Sequence, residues 1–160
     1  MPREIRLKKG LNINLIGEAD KVYASSKSSQ KFSVRPTDFH ALQPKMKVKV
    51  GDKVKAGSVL FFDKYNEKVN FCAPVSGEVT DIIRGEKRKI LEVRIDSDSE
   101  IQYKSFPVED PSKMSRQEII DKMLERGVWP FIRQKPYDII ANPSDHPKAI
   151  FISTFKSAPL

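Results

Sequence analysis

Residues 48–60 read Val-Lys-Val-Gly-Asp-Lys-Val-Lys-Ala-Gly-Ser-Val-Leu, and no other stretch constrains the fold as much. Gly51 and Gly57 are each followed by a turn-forming residue, Asp52 and Ser58, so the backbone bends twice in quick succession with Val54 tucked between the bends. Ahead of the first bend, strict alternation over residues 46–50 predicts a half-buried strand, with Val48 and Val50 on one face and Lys47 and Lys49 on the other. A second strand is predicted over 59–62. The segment from Val69 to Ile83 predicts two more, broken at Pro74 and Gly77, where a ladder hydrogen bond is lost and φ is freed. A charged turn, Arg84-Gly-Glu-Lys-Arg-Lys, precedes another strand over 90–96. Short strands separated by regular turn signals mark a compact sandwich or barrel.

After Ser99 the character changes. Residues 100–112 read as a polar, proline-bearing connector, so the chain divides into a β domain over 1–99, the connector, and the start of an α/β domain over 113–160. In the last of these, Ser115 and Glu118 predict a capping box, Ile119, Ile120, Met123 and Leu124 an apolar stripe, and Gly127 the helix stop. The Trp129-Pro-Phe-Ile and Pro136-Tyr-Asp-Ile-Ile stretches read as anchored loops. Ala149-Ile-Phe-Ile reads as a buried parallel strand, whose missing neighbours imply a longer protein. The fold class is therefore α+β.

Composition narrows function. A 160-residue chain with 29 Lys and Arg, 21 Asp and Glu and a net charge of +8 favours an acidic partner, a nucleic acid or an anionic membrane face. No apolar run is long enough to span a bilayer, and the start lacks the apolar core of a signal peptide, so a cytoplasmic location is expected. The single cysteine, Cys72, has no partner for an intramolecular disulfide and reads as a small buried hydrophobe. His40 and His146 are too far apart in sequence, without nearby ligand types, to predict a metal site; both read as loop residues. Trp129 reads as core. There is no glycine-rich dinucleotide motif, Walker loop or Cys-x-x-Cys, so no residue is assigned a catalytic or metal-binding role and the cofactor-binding residues are unknown. The basic turn supplies the one candidate site, a docking surface of Arg84, Lys87 and Arg88. Nucleic-acid binding through the lysines of residues 45–55 is the rival from another class, weakened by interleaved acids and the lack of an RNA-binding aromatic pattern.

The Val-x-Gly-Asp-x-Val-x-x-Gly-x-x-Leu pattern at 48–60 and Ala-Pro-Val-Ser-Gly-Glu-Val at 73–79 together resemble the barrel-sandwich hybrid fold of biotinyl and lipoyl carrier domains. In that fold the modified lysine sits at a hairpin tip, a position that falls here on Asn66, between Lys64 and Lys68, so the fold is kept and the arm lost. Lys8-Lys-Gly-Leu-Asn-Ile-Asn, Pro44-Lys-Met-Lys-Val-Lys-Val-Gly-Asp, Val69-Asn-Phe-Cys-Ala-Pro-Val-Ser-Gly, Arg84-Gly-Glu-Lys-Arg and Pro147-Lys-Ala-Ile-Phe-Ile are similar to the NqrA family, the A subunits of the sodium-translocating NADH:quinone oxidoreductases. That resemblance implies a peripheral subunit on the cytoplasmic side of the inner membrane, with a scaffold and quinone-facing role and five partner subunits. NADH, flavins and the iron-sulfur cluster would belong to those sister subunits, ubiquinone to the full-length protein, and membrane contact would be indirect. The C subunit of the related ferredoxin:NAD oxidoreductase pumps shares the fold and is the alternative. The closing Ser153-Thr-Phe-Lys-Ser-Ala-Pro-Leu departs from the family's usual wording, which puts a ligand contact there in doubt.

Overall fold

A computed structural model describes residues 29–153 continuously, with residues 16, 17, 20, 22, 23 and 25 ahead of them. The Lys8 to Asn14 motif and residues 154–160 lie outside the described residues. Among the described residues seven strands build the β domain: β1 (Lys31–Val34), β2 (Pro44–Met46), β3 (Lys53–Val54), β4 (Val59–Asp63), β5 (Asn66–Cys72), β6 (Gly77–Arg84) and β7 (Ile90–Ser97). They form two antiparallel sheets, one in the order β1-β7-β6-β3 and the other β2-β4-β5. Leu60, Phe61 and Val69 from one sheet and Val79, Val93 and Ile95 from the other are almost wholly buried, so the core lies between the sheets. Each such side chain contributes roughly 1.5–3 kcal/mol by leaving water.

The double bend forms as the sequence predicts. Gly51 has φ +91° and Gly57 φ +93°, and Val54 between them is buried. Each bend is closed by the residue after its glycine: Asp52 Oδ2 accepts from Lys49 N (2.8 Å) and Ser58 Oγ from Lys55 N (3.0 Å). This same Asp52 contact overturns the expected strand over 46–50. The strand pairing with β4 ends at Met46, and Lys47 N makes the last bond to that strand, donating to Leu60 O (2.9 Å). The Lys49 amide is committed to Asp52, and Asp52 N returns to Lys49 O (3.2 Å), so a local turn outcompetes the ladder. Val50 is consequently 57% exposed rather than buried.

Alternation holds in β5, where Val69 and Phe71 enter the core and Phe71 stacks on Phe61 with ring centroids 4.7 Å apart. Asn70 and Cys72 turn the other way, toward α1 (Arg116–Glu125): Asn70 Nδ2 donates to Leu124 O at 3.4 Å. The β4–β5 hairpin tip is Lys64-Tyr65, and Asn66, the position expected at the tip from the carrier fold, instead opens β5 opposite Asp63, one residue past it.

The helix carries its predicted capping box. Ser115 Oγ accepts from Glu118 N (3.3 Å) and Glu118 Oε2 accepts from Ser115 N (2.7 Å). Ile120 and Leu124 bury the apolar stripe against the barrel. Beyond it, the region expected to be loop contains a 3₁₀ turn at Trp129–Phe131 and a small hairpin of β8 (Arg133–Gln134) and β9 (Ile139–Ile140). Trp129 is buried, and its indole N–H donates to Ala141 O at 2.7 Å, which ties the turn to the residue just after β9. The connector is pinned rather than loose. Gln102 N donates to Ser76 Oγ (2.9 Å) and Ala56 N to Gln102 O (2.9 Å), while Glu109 pairs with Lys122 and Arg126. The 149–152 run is irregular and exposed, with Ile150, Phe151 and Ile152 all facing solvent. Apolar composition alone does not make a strand, and among the described residues none pairs with it.

Candidate functional site

The predicted docking residues share one corner of the barrel. Arg84 ends β6, and the chain turns back into β7 through Glu86, Lys87 and Arg88, with Lys89 N donating to Glu86 O (3.1 Å) and Gly85 N to Lys89 O (2.8 Å). Lys87 (φ 51°) and Arg88 (φ 60°) both occupy left-handed backbone. That is the pattern of a type I′ hairpin turn, which normally selects Asn and Gly. Two cations are thus held at a tip against their backbone preference. Arg84 Nη1 donates to Arg88 O at 3.5 Å, so its guanidinium lies back along the turn. None of the three forms an ion pair among the described residues.

Arg84 also lines a second feature, which sequence reasoning missed. A groove of about 440 Å³ runs between residues 46–50 and the Ile82–Arg84 end of β6. Its walls carry Lys47, Lys49 and Arg84 around Met46, Val48, Val50 and Ile82, and no carboxylate. The lysine alternation was visible in the sequence; that the fold lays Arg84 beside it was not. A neighbouring groove, over the β1-β7-β6 part of the same sheet, offers a contrast. A groove there is lined by Lys31 and Arg94 together with Asp81, Glu92 and Asp96, and Arg94 Nε lies 3.2 Å from Glu92 Oε1. Hydrogen bonding to Arg94, then to Ser33, holds the Glu92 carboxyl below its ordinary range. In that groove the acids outnumber the cations.

A third cluster lies where the barrel meets the β8–β9 hairpin. Phe39 packs edge-on against Phe71 (4.8 Å) and lies 6.3 Å from Phe131, while the Arg133 guanidinium sits 4.8 Å over the Phe39 ring. Phe131 and Tyr137 are largely exposed beside them. His40 Nδ1 lies 3.7 Å from Asp138 Oδ2, and Asp138 is held below the usual carboxylate range chiefly by the Lys135 ammonium that donates to it. His146 lies apart on an exposed loop. Cys72 lies half-buried between barrel and helix; burial pushes its thiol up, and Lys104 and Lys47 offset this only in part. Among the described residues no group of three or more His, Cys, Asp or Glu is placed to hold a metal ion, and no helix is long and apolar enough to cross a membrane.

Fold and surface together define a barrel-sandwich hybrid domain of the biotinyl and lipoyl type that carries a basic corner at its β6–β7 turn, followed by a helix and hairpin. Residues 5–98 match the family model described as the NqrA N-terminal barrel-sandwich hybrid domain, and residues 114–160 match that of the NqrA second alpha/beta domain. The chain is 32% identical over 158 residues to the A subunit of the Na(+)-translocating NADH-quinone reductase of Pseudomonas aeruginosa, covering 98% of this chain and 36% of that protein. It is 34% identical over 158 residues to the protein of the same name from Neisseria meningitidis, covering 98% of this chain and 35% of the relative. The match to the Marinomonas protein is 32% identical over 157 residues, 97% of this chain and 35% of the relative. The chain belongs to the NqrA family, the A subunits of the Na(+)-translocating NADH-quinone reductases. It spans little more than a third of the length of these curated relatives.

Proposed function

We propose that the chain is part of a peripheral, cytoplasmic-side subunit of a six-subunit respiratory complex that oxidises NADH, reduces ubiquinone and pumps sodium, and that it serves there as a scaffold. The family match supports this reading, as do the names of the relatives. In this reading residues 1–99 form the barrel domain, 100–112 the connector and 113–160 the opening of an α/β domain, while NADH, flavins and the iron-sulfur cluster are carried by the five sister subunits.

The barrel docks through Arg84, Lys87 and Arg88 onto an anionic surface of the assembly. The observation that carries this is the Lys87-Arg88 tip: two cations without a carboxylate partner among the described residues, held at positive φ. Exposed pairs contribute little to stability, so charges kept at such a position suit association better than folding. The test is to tag the full-length protein, solubilise the membranes gently and identify the co-purifying proteins while assaying sodium-stimulated NADH:quinone reductase activity. Five partners should be recovered with wild type, and recovery should drop at low salt with R84E/K87E/R88E. Undiminished recovery with the variant removes the docking role.

A quinone-facing role is favoured by one further observation, the exposed Phe131 ring beside Phe39 and Arg133. A flat apolar ring can stack there with a cation at its edge. A short-chain ubiquinone should quench the fluorescence of neighbouring Trp129, and Phe131→Ala should weaken that quenching several-fold. Equal quenching of both proteins would remove this role.

A further inference from the structure

We propose that the groove between residues 46–50 and the Ile82–Arg84 end of β6 is a membrane-contact surface that takes the phosphate headgroups of anionic phospholipid. The inference rests on the docking reading of Arg84, Lys87 and Arg88 and names the surface they meet. Membrane contact is then direct, not only through partner subunits.

Three observations carry it. The first is charge without compensation: Lys47, Lys49 and Arg84 line the groove with no carboxylate, whereas the neighbouring groove on the same sheet sets three acids against Lys31 and Arg94. The two grooves therefore differ in what each can receive. The second is the apolar content between the cations. Val50 is 57% exposed at the turn beside Gly51, and Met46, Val48 and Ile82 continue the apolar lining inward. Alternating lysine and exposed apolar side chains on one short segment match a headgroup layer, where the cations meet phosphates and the apolar groups meet the acyl boundary. An acidic peptide or a nucleic acid would use the cations and leave Val50 in water. The third is continuity: Arg84 belongs to the groove and, through its bond to Arg88 O, to the cationic tip, so Lys87 and Arg88 extend the same surface.

The test uses the full-length protein with vesicles of phosphatidylglycerol mixed into phosphatidylcholine and with pure phosphatidylcholine vesicles. Wild type should float with the anionic vesicles at low salt and not with the neutral ones. Each cation near such a surface favours binding about fivefold, so K47Q/K49Q/R84Q should lower the partition coefficient roughly a hundredfold. V50S should lower it with every cation retained, and K31Q, in the acid-rich groove, should leave it near wild type. Circular dichroism checks that each variant folds. Failure of wild type to float, or equal flotation of wild type and the triple variant, overturns the inference. If R84E/K87E/R88E then abolishes recovery of the complex while vesicles are ignored, the surface faces protein and the docking reading alone survives. If the vesicles bind as expected and complex recovery is unaffected, the lipid contact stands and docking to partners falls.

Discussion

Gly127 and Cys72 meet so closely that only a hydrogen side chain fits between them: a Cβ at Gly127 would overlap the Cys72 sulfur and lie 3.1 Å from its Cβ. Gly127 also has φ +70°, the left-handed stop after α1. One residue therefore ends the helix and lets it approach β5. Gly127→Ala should cost about 2–4 kcal/mol, the sum of left-handed backbone strain and overpacking. Urea unfolding followed by Trp129 fluorescence measures it. Adding Cys72→Ala should return the overpacking share, leaving the pair non-additive by about 1–3 kcal/mol; strict additivity would mean the two residues do not touch.

Gly77 and Gly51 separate two reasons for a glycine. A Cβ at Gly77 would collide with the Asp96 carbonyl on β7, which is backbone and has nowhere to go, whereas a Cβ at Gly51 would meet open space. Gly51→Ala should cost only the strain of φ +91°, about 1–2 kcal/mol. Gly77→Ala should cost more than about 3 kcal/mol, because the β6–β7 ladder must open. Thermal melts of the two variants decide this, and an equal loss would refute the ordering.

The features legible in the sequence are those decided locally. The bends at Gly51 and Gly57 and the Ser115–Glu118 box each depend on residues within a few positions, and each formed. The expected strand over 46–50 failed because its pattern permits a ladder while the Asp52 carboxylate, three residues past Lys49, competes for the Lys49 amide. The β8–β9 hairpin escaped notice because two-residue strands carry no period. Of the candidate site, the cationic turn was legible as a charge run. Its union with Lys47 and Lys49 was not, since only the sheet brings Arg84 alongside them.

Acid should loosen the helix start. Glu118 is held below its ordinary carboxyl value by hydrogen bonds from the Ser115 side chain and backbone. Its folded value lies under its unfolded one, so its contribution is fully present above the ordinary value of 4.5 and is lost as pH falls through the depressed one. Ser115→Ala should destabilise the chain by about 1 kcal/mol at neutral pH and flatten that acid limb. Stability curves from neutral pH down to strong acid check both; an acid limb of unchanged slope in the variant would detach it from Glu118.

The Cys72 thiol should be sluggish. Burial raises its value above the ordinary 9.0, with Lys104 and Lys47 pulling it down in part. The thiolate is the reactive form, so reaction with a disulfide reagent near neutral pH should be much slower in the folded chain than in urea. Lys104→Gln should slow it further. The stability linked to this thiol is present below its unfolded value and is lost as pH rises through the raised one. A folded-state rate equal to that in urea would contradict the burial.

The cationic turn gives a prediction in which stability and association move in opposite directions. Lys87 and Arg88 stand at φ 51° and 60°, where L-residues with long side chains are each disfavoured by about 1–2 kcal/mol. Asn-Gly is the pair that such a two-residue turn accepts with little strain. K87N/R88G should therefore stabilise the chain by about 1–2 kcal/mol, the gain reduced by the extra freedom glycine has when unfolded. The same change removes two cations from the surface that Arg84 extends toward the 46–50 groove, so binding to anionic vesicles and recovery of the complex should weaken several-fold. Denaturation midpoints and flotation on the same preparation separate the two effects. A variant more stable yet equally well bound would show that the cations at the tip serve neither contact, whereas a variant no more stable would show that the turn relaxes without strain.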